Sequence, residues 1–232
     1  MRRLAAAAAS LALLLSAGCG GADSSRDDPP RAGSTPAKAR TIVAALGDSI
    51  TAGAPLWDPS PSVRARMRVA LDPASQYEYW AQRRLRGTRF RNCGVPGERT
   101  DRIILRLRDC AKGADVLVVQ GGVNDILQGG RAEAAARNLR AMVRRGRRLG
   151  LRVALAEALP YNPGYPATVG AIRQLNRLIA AIGREQGVPV FPWYRRLEDP
   201  SAPGRMKRQW TADGAHPTVA GYRRLAEVVE LP

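Results

Sequence analysis

The chain is expected to fold as an α/β domain, a parallel sheet covered by helices on both faces to give a three-layer α/β/α arrangement. Three observations support this. Five short apolar runs alternate with longer amphipathic ones from residue 41 to the C-terminus. The apolar runs are nearly continuous rather than alternating, as strands buried on both faces of a parallel sheet are. Polar, Gly-containing segments follow several of the runs, at the place where open α/β sheets bind their ligands.

The strands, in order, are Thr41–Gly47, Arg89–Cys93, Ala114–Gln120 (ADVLVVQ, the strongest), Arg152–Leu159 and Val188–Trp193. Each is too short and too apolar for a surface helix. Helices are expected between them. Gln76–Arg86 carries Tyr77, Trp80, Ala81 and Leu85 on one face. Glu98–Asp109 fits a helix loosely, with Ile103, Ile104, Leu105 and Leu107 among arginines. Ala132–Leu149 turns Ala136, Leu139, Met142 and Val143 inward, and Ala167–Gly187 stripes Ile172, Leu175, Leu178 and Ile179. Pro217–Val229 opens on a proline suited to a first helical position and carries Val219, Tyr222 and Leu225. A long connection, Ala54–Ser75, holds a basic helical piece at Ser62–Leu71. No internal repeat is visible.

The 232 residues suffice for one sizeable core, preceded by segments of another kind. Arg2 and Arg3 precede a Leu/Ala run, Leu4–Leu15, too short to span a bilayer. Residues 1–18 read as an export signal. Ser16-Ala17-Gly18-Cys19 resembles a bacterial lipobox with Ser16 in place of the usual Leu, so Cys19 is the expected lipidation site and the membrane an expected partner. Residues 19–40 are rich in Gly, Ser, Pro and charge and read as a disordered tether. The domain proper is 41–232, expected to be monomeric and held at the cell envelope.

The net charge is +17, and all but three of the 37 basic residues are Arg. With so much Ala and Gly this points to a G- and C-rich codon bias, and no nucleic-acid partner is expected. One His and scattered Cys do not make a metal site, and no cofactor is expected. Cys93 and Cys110 lie at opposite ends of the expected helix 98–109. A dozen helical residues span about 18 Å, whereas bridged Cα atoms lie within about 7 Å. The spacing disfavours a disulfide unless that helix is shorter or the chain doubles back.

Four polar segments lie at strand ends: Gly47-Asp48-Ser49, Asn92-Cys93-Gly94-Val95-Pro96-Gly97, Gly121-Gly122-Val123-Asn124-Asp125 and Asp213-Gly214-Ala215-His216. Taken singly, each has an ordinary structural reading: Ser49 as a helix cap, Gly97 as a turn, Asn124-Asp125 as a capping pair, Asp213 as a turn former. Together they supply what acyl transfer needs. A serine hydroxyl needs a base to become a nucleophile, and His216 is the only imidazole in the chain. Asp213, three residues earlier, can reach that ring and set its tautomer. The Ser49 N–H, the Gly97 N–H and the Asn124 amide are candidate oxyanion donors.

In their order and separation these four segments resemble the signature blocks of the SGNH hydrolases, also called GDSL esterases, over about residue 41 to the C-terminus. The resemblance implies a flavodoxin-like domain with five parallel strands, Ser49 as nucleophile, His216 as base, Asp213 as its orienting partner, and Ser49, Gly97 and Asn124 as the oxyanion hole. Ile50 stands where the family has Leu. No Gly-x-Ser-x-Gly occurs, so the strained elbow of larger α/β-hydrolases is not implied. The expected function is hydrolysis of carboxylic esters through an acyl-Ser49 intermediate, on short-acyl esters of carbohydrates or small molecules; the alternatives are a lysophospholipase or thioesterase on the same fold, and a non-catalytic surface lipoprotein that binds anionic envelope polymers. Trp57, Tyr161 and Asn162 are candidate substrate contacts, because their loops border the expected cleft.

Overall fold

A computed structural model describes residues 40–232. The expected signal, Cys19 and the tether through residue 39 lie outside the described residues. The elements run β1 (Thr41–Gly47), α1 (Ser49–Ala52), α2 (Pro61–Arg64), α3 (Tyr77–Arg84), β2 (Thr88–Gly94), α4 (Thr100–Ile103), a 3-10 turn (Ile104–Arg106), α5 (Leu107–Ala111), β3 (Val116–Val119), α6 (Val123–Leu127), α7 (Ala132–Arg148), β4 (Arg152–Ala156), α8 (Val169–Gln186), β5 (Val190–Phe191), α9 (Trp193–Leu197), a 3-10 turn (Arg208–Trp210) and α10 (Val219–Ala226).

The five strands form one all-parallel sheet in the order β2-β1-β3-β4-β5, the flavodoxin-like order. Leu46 of β1 lies opposite Cys93 on one side and Val119 on the other. The chain leaves β1 in one direction for β2 and returns in the other for β3. This reversal opens a crevice beyond the carboxyl ends of β1 and β3.

Side chains alternate between two buried layers, as the pleat requires. Ala44, Leu46, Leu117 and Val119 pack with Ile103, Leu107, Leu139, Met142, Leu175 and Ile179, from α4, α5, α7 and α8. Val43, Ala45, Val116 and Val118 pack with Tyr77, Trp193, Tyr222 and Leu225, from α3, α9 and α10. In α7 the buried positions Ala132, Ala135, Ala136, Leu139, Met142, Val143 and Gly146 keep helical spacing. Fully burying Leu139 or Met142 contributes about 1.5–3 kcal/mol each.

The structure corrects four expectations. The helix expected over Glu98–Asp109 is broken into α4, a 3-10 turn and α5. The chain turns after β2 and folds back beside it, so Cys93 and Cys110 come within 6.0 Å at Cα and form a disulfide. The basic piece Ser62–Leu71 is helical only over Pro61–Arg64, started by the Ser60 hydroxyl on the Val63 N–H. Pro217 precedes the last helix rather than opening it; Thr218 is the cap, its hydroxyl accepting from the Gly221 N–H at 3.1 Å.

Candidate active site

Ser49 begins the one-turn helix α1 at the carboxyl end of β1. Asp48 caps that turn, its carboxylate accepting the Ile50 N–H at 3.0 Å. Gln120, at the end of β3, secures the turn to the neighbouring strand. Its carbonyl oxygen accepts from the Thr51 hydroxyl at 2.9 Å and from the Asp48 N–H at 3.3 Å. On the other side the end of β2 abuts α1. A Cβ on Gly94 would lie 2.1 Å from the Ala52 nitrogen, so only glycine permits this approach. The nucleophile turn is thus fixed from both adjacent strands.

His216 and Asp213 sit on the loop before α10. Nε2 of His216 is 3.0 Å from the Ser49 hydroxyl, and Nδ1 is 2.7 Å from Oδ2 of Asp213. Oδ1 of Asp213 accepts the Ala215 and His216 N–H groups at 2.8 and 2.7 Å. Partial burial pushes the Asp213 carboxyl up, but hydrogen bonds from the His216 ring and from these N–H groups outweigh it and hold the group below the usual carboxylate range. An ionised Asp213 keeps a proton on Nδ1, leaving Nε2 free to take one from Ser49.

Gly97 and Asn124 face the same crevice. Gly97 has φ 78°, a left-handed conformation that aims its turn and favours glycine. Among the described residues, neither the Ser49 nor the Gly97 N–H has a protein acceptor. Asn124 donates one amide hydrogen to the Glu98 carbonyl at 3.0 Å. That bond orients the amide and leaves its second N–H for the cavity. Ser49, Gly97 and Asn124 all line one cavity. Asp125 points away, accepting the Thr100 N–H and hydroxyl at 2.9 and 2.6 Å, which places it in a supporting role for α4.

Ser49, Asn124 and His216 line a cavity of about 270 Å³ whose other walls are largely apolar, among them Ile50, Val123, Leu127 and Leu159. Tyr161 lines it too. Trp57 and Asn162 do not, contrary to the sequence expectation. Trp57 packs its own loop, under the Arg64 guanidinium at 4.5 Å. Asn162 closes a turn, exchanging hydrogen bonds with the Met206 backbone at 2.6 and 2.9 Å. Gln120 was missed as a site residue. A polar residue ending an otherwise apolar strand, before two glycines, was the available signal.

Asp48 is wholly buried, and its second carboxyl oxygen has no partner among the described residues. Burial pushes this carboxyl up to about 6, against the pull of the Ile50 N–H, Gln120 and His216. A folded-state pKa above the unfolded 3.8 means that the stability it contributes is present below about pH 4 and lost as pH rises through about 6. The difference amounts to about 3 kcal/mol. Glu78, buried among the described residues, is pushed up in the same sense by desolvation. Urea unfolding of wild type and Asp48→Asn from pH 4 to 7 should show a shallower pH dependence in the variant. Parallel curves would refute the assignment to Asp48.

This arrangement on a flavodoxin-like sheet defines a class: a serine hydrolase acting on carboxylic esters. The chain belongs to the GDSL-like lipase/acylhydrolase family, whose model matches residues 45–224. Solved structures agree on the fold. A GDSL-like lipase from Bacteroides thetaiotaomicron is 20% identical with a TM-score of 0.64, covering 84% of this chain and 88% of its own. A lipase/acylhydrolase from Enterococcus faecalis is 25% identical (TM-score 0.62, 82% and 92% covered). An acetyl xylan esterase is 19% identical (TM-score 0.61, 81% and 96% covered). A search of curated proteins found no match.

Proposed function

We propose that the chain hydrolyses short-acyl esters of carbohydrates or small molecules through an acyl-Ser49 intermediate. The observation that carries the short-acyl reading is the cavity. At about 270 Å³ it falls below the roughly 300–1,000 Å³ usual for drug-sized ligands. Its walls are largely apolar, which suits a small acyl group better than a charged one. His216 takes the Ser49 proton as the hydroxyl attacks the ester carbonyl. The Ser49 and Gly97 N–H groups and Asn124 hold the oxyanion, and His216 returns the proton to the departing alcohol. Water, activated by the same imidazole, then releases the acid.

Hydrolysis of p-nitrophenyl acetate, butyrate and octanoate tests the substrate class. kcat/KM should be highest for acetate or butyrate and fall at least about tenfold by octanoate, the equivalent of about 1.4 kcal/mol. An octanoate optimum would instead favour the lysophospholipase or thioesterase reading.

The proposal extends to location: an exported protein, anchored at the membrane outer face by lipid on Cys19 and acting as a monomer. The Leu4–Leu15 run and Ser16-Ala17-Gly18-Cys19 support the anchor. Metabolic labelling with a fatty acid should mark the chain in a bacterial host and should not mark Cys19→Ala. Equal labelling of both would overturn it.

A further inference from the structure

On the side of the α4–α5–α7 layer lies a second groove, away from the triad. Leu105 and Leu149 stand open on it, 66% and 44% exposed, and Leu105 is the most exposed large apolar side chain among the described residues. Arg108, Arg145 and Arg148 line the same groove. None of the three arginines has an ion-pair partner or a side-chain hydrogen bond among the described residues, whereas Arg106 and Arg140 close by are paired with Glu98 and Glu185. The groove is therefore bare in both respects, with unpartnered leucines ringed by unneutralised guanidinium groups.

Its place in the fold is equally specific. Leu149 follows the end of α7 and precedes β4, which begins at Arg152. This is the amino-terminal edge of the sheet, where β1 also begins at Thr41. Ser49 follows the far end of β1, about 20 Å from Thr41 along that seven-residue strand, while Leu105 sits beside Arg106, which reaches the Gly47 and Cys93 carbonyls.

We propose that this groove docks on an anionic lipid bilayer, with Leu105 and Leu149 entering the headgroup–acyl boundary and the three arginines binding lipid phosphates. Charge complementarity selects an anionic partner, and the exposed leucines select a bilayer over a soluble polyanion, which offers them nothing apolar. The proposal is independent of the ester chemistry and of Cys19, since it concerns a surface of the described domain.

The test uses residues 20–232, which contain the whole described unit with both of its core layers. Co-sedimentation is measured with vesicles of phosphatidylcholine alone and of phosphatidylcholine mixed with phosphatidylglycerol. Each arginine near an anionic surface is worth about fivefold in partition, so R108Q/R145Q/R148Q should weaken binding to the mixed vesicles about a hundredfold. Leu105→Ser with Leu149→Ser should weaken it at least about tenfold. The same charge removed elsewhere, as R177Q/R184Q/R195Q on exposed α8 and α9 positions, should change it less than about fivefold. Hydrolysis of p-nitrophenyl acetate in solution should be unchanged in every variant, which shows that each is folded. Equal losses in the two arginine triples would overturn the proposal in favour of diffuse charge attraction. An unaltered leucine pair would also overturn it, leaving a polyanion site.

Discussion

Replacing Ser49 by Ala is expected to lower kcat for p-nitrophenyl acetate by on the order of 10⁵–10⁶-fold with little change in KM. Among the described residues the hydroxyl is the only nucleophile within hydrogen-bonding distance of His216, at 3.0 Å. His216→Ala should lose about as much, because a serine without its base is nearly inert. The double variant should be no worse than either single one, since nucleophile and base act as a unit. Asp213→Asn should fall about 10⁴-fold, through loss of the Nδ1 tautomer that Oδ2 fixes at 2.7 Å. Asn124→Ala removes one of three oxyanion donors and should cost about 10²–10³-fold in kcat. If Ser49→Ala keeps activity within tenfold of wild type, the acyl-enzyme mechanism is wrong.

The largest expected effect on stability comes from the Cys93–Cys110 bond, which closes a loop of sequence separation 17. Replacing both cysteines by Ser should destabilise the fold by about 3 kcal/mol, mainly by freeing the unfolded chain. For a domain of this size that is a Tm lower by about 6–12 °C. The bond encloses the turn bearing Gly97, so oxyanion binding should weaken as well, more in kcat than in KM. Calorimetry of the variant, with thiol titration of the native chain, decides the matter. Free thiols at Cys93 and Cys110, or an unchanged Tm, would remove the disulfide from the account.

The elements legible from sequence were those whose signal is local. β1 was read to the residue, because Thr41–Gly47 is buried by both layers and shows it as an unbroken apolar run. α7 and α8 were legible because each hides a long stripe. The helix over Glu98–Asp109 was misjudged because its break depends on how the segment folds back onto β2, information that a twelve-residue pattern does not carry. The disulfide was disfavoured for the same reason. At the site, four short blocks point to Ser49, Asp213, His216, Gly97 and Asn124; the structure lines one crevice with Ser49, His216, Gly97 and Asn124 and sets Asp213 behind the His216 ring. Asn162 and Trp57 were placed wrongly because their partners, the Met206 backbone and the Arg64 guanidinium, are set by loop packing. The burial of Asp48 was invisible, since an aspartate ahead of a helix turn ordinarily faces water.

The two hydrogen bonds linking Ser49, His216 and Asp213 differ in what must be aligned to make them. One joins residues three positions apart, and the Asp213 carboxylate is held by N–H groups of its own loop. The other joins residues 167 positions apart. Acid and base therefore form a self-registering cassette, whose internal geometry is insulated from drift in sheet twist or helix placement. Positional error accumulated across the domain enters the reaction path through a single coordinate, the gap between imidazole and hydroxyl. Tyr222 of α10, whose hydroxyl donates to the Ala54 carbonyl at 2.8 Å just beyond α1, pins the cassette-bearing segment to the nucleophile's own neighbourhood and shortens the chain of tolerances that sets that gap.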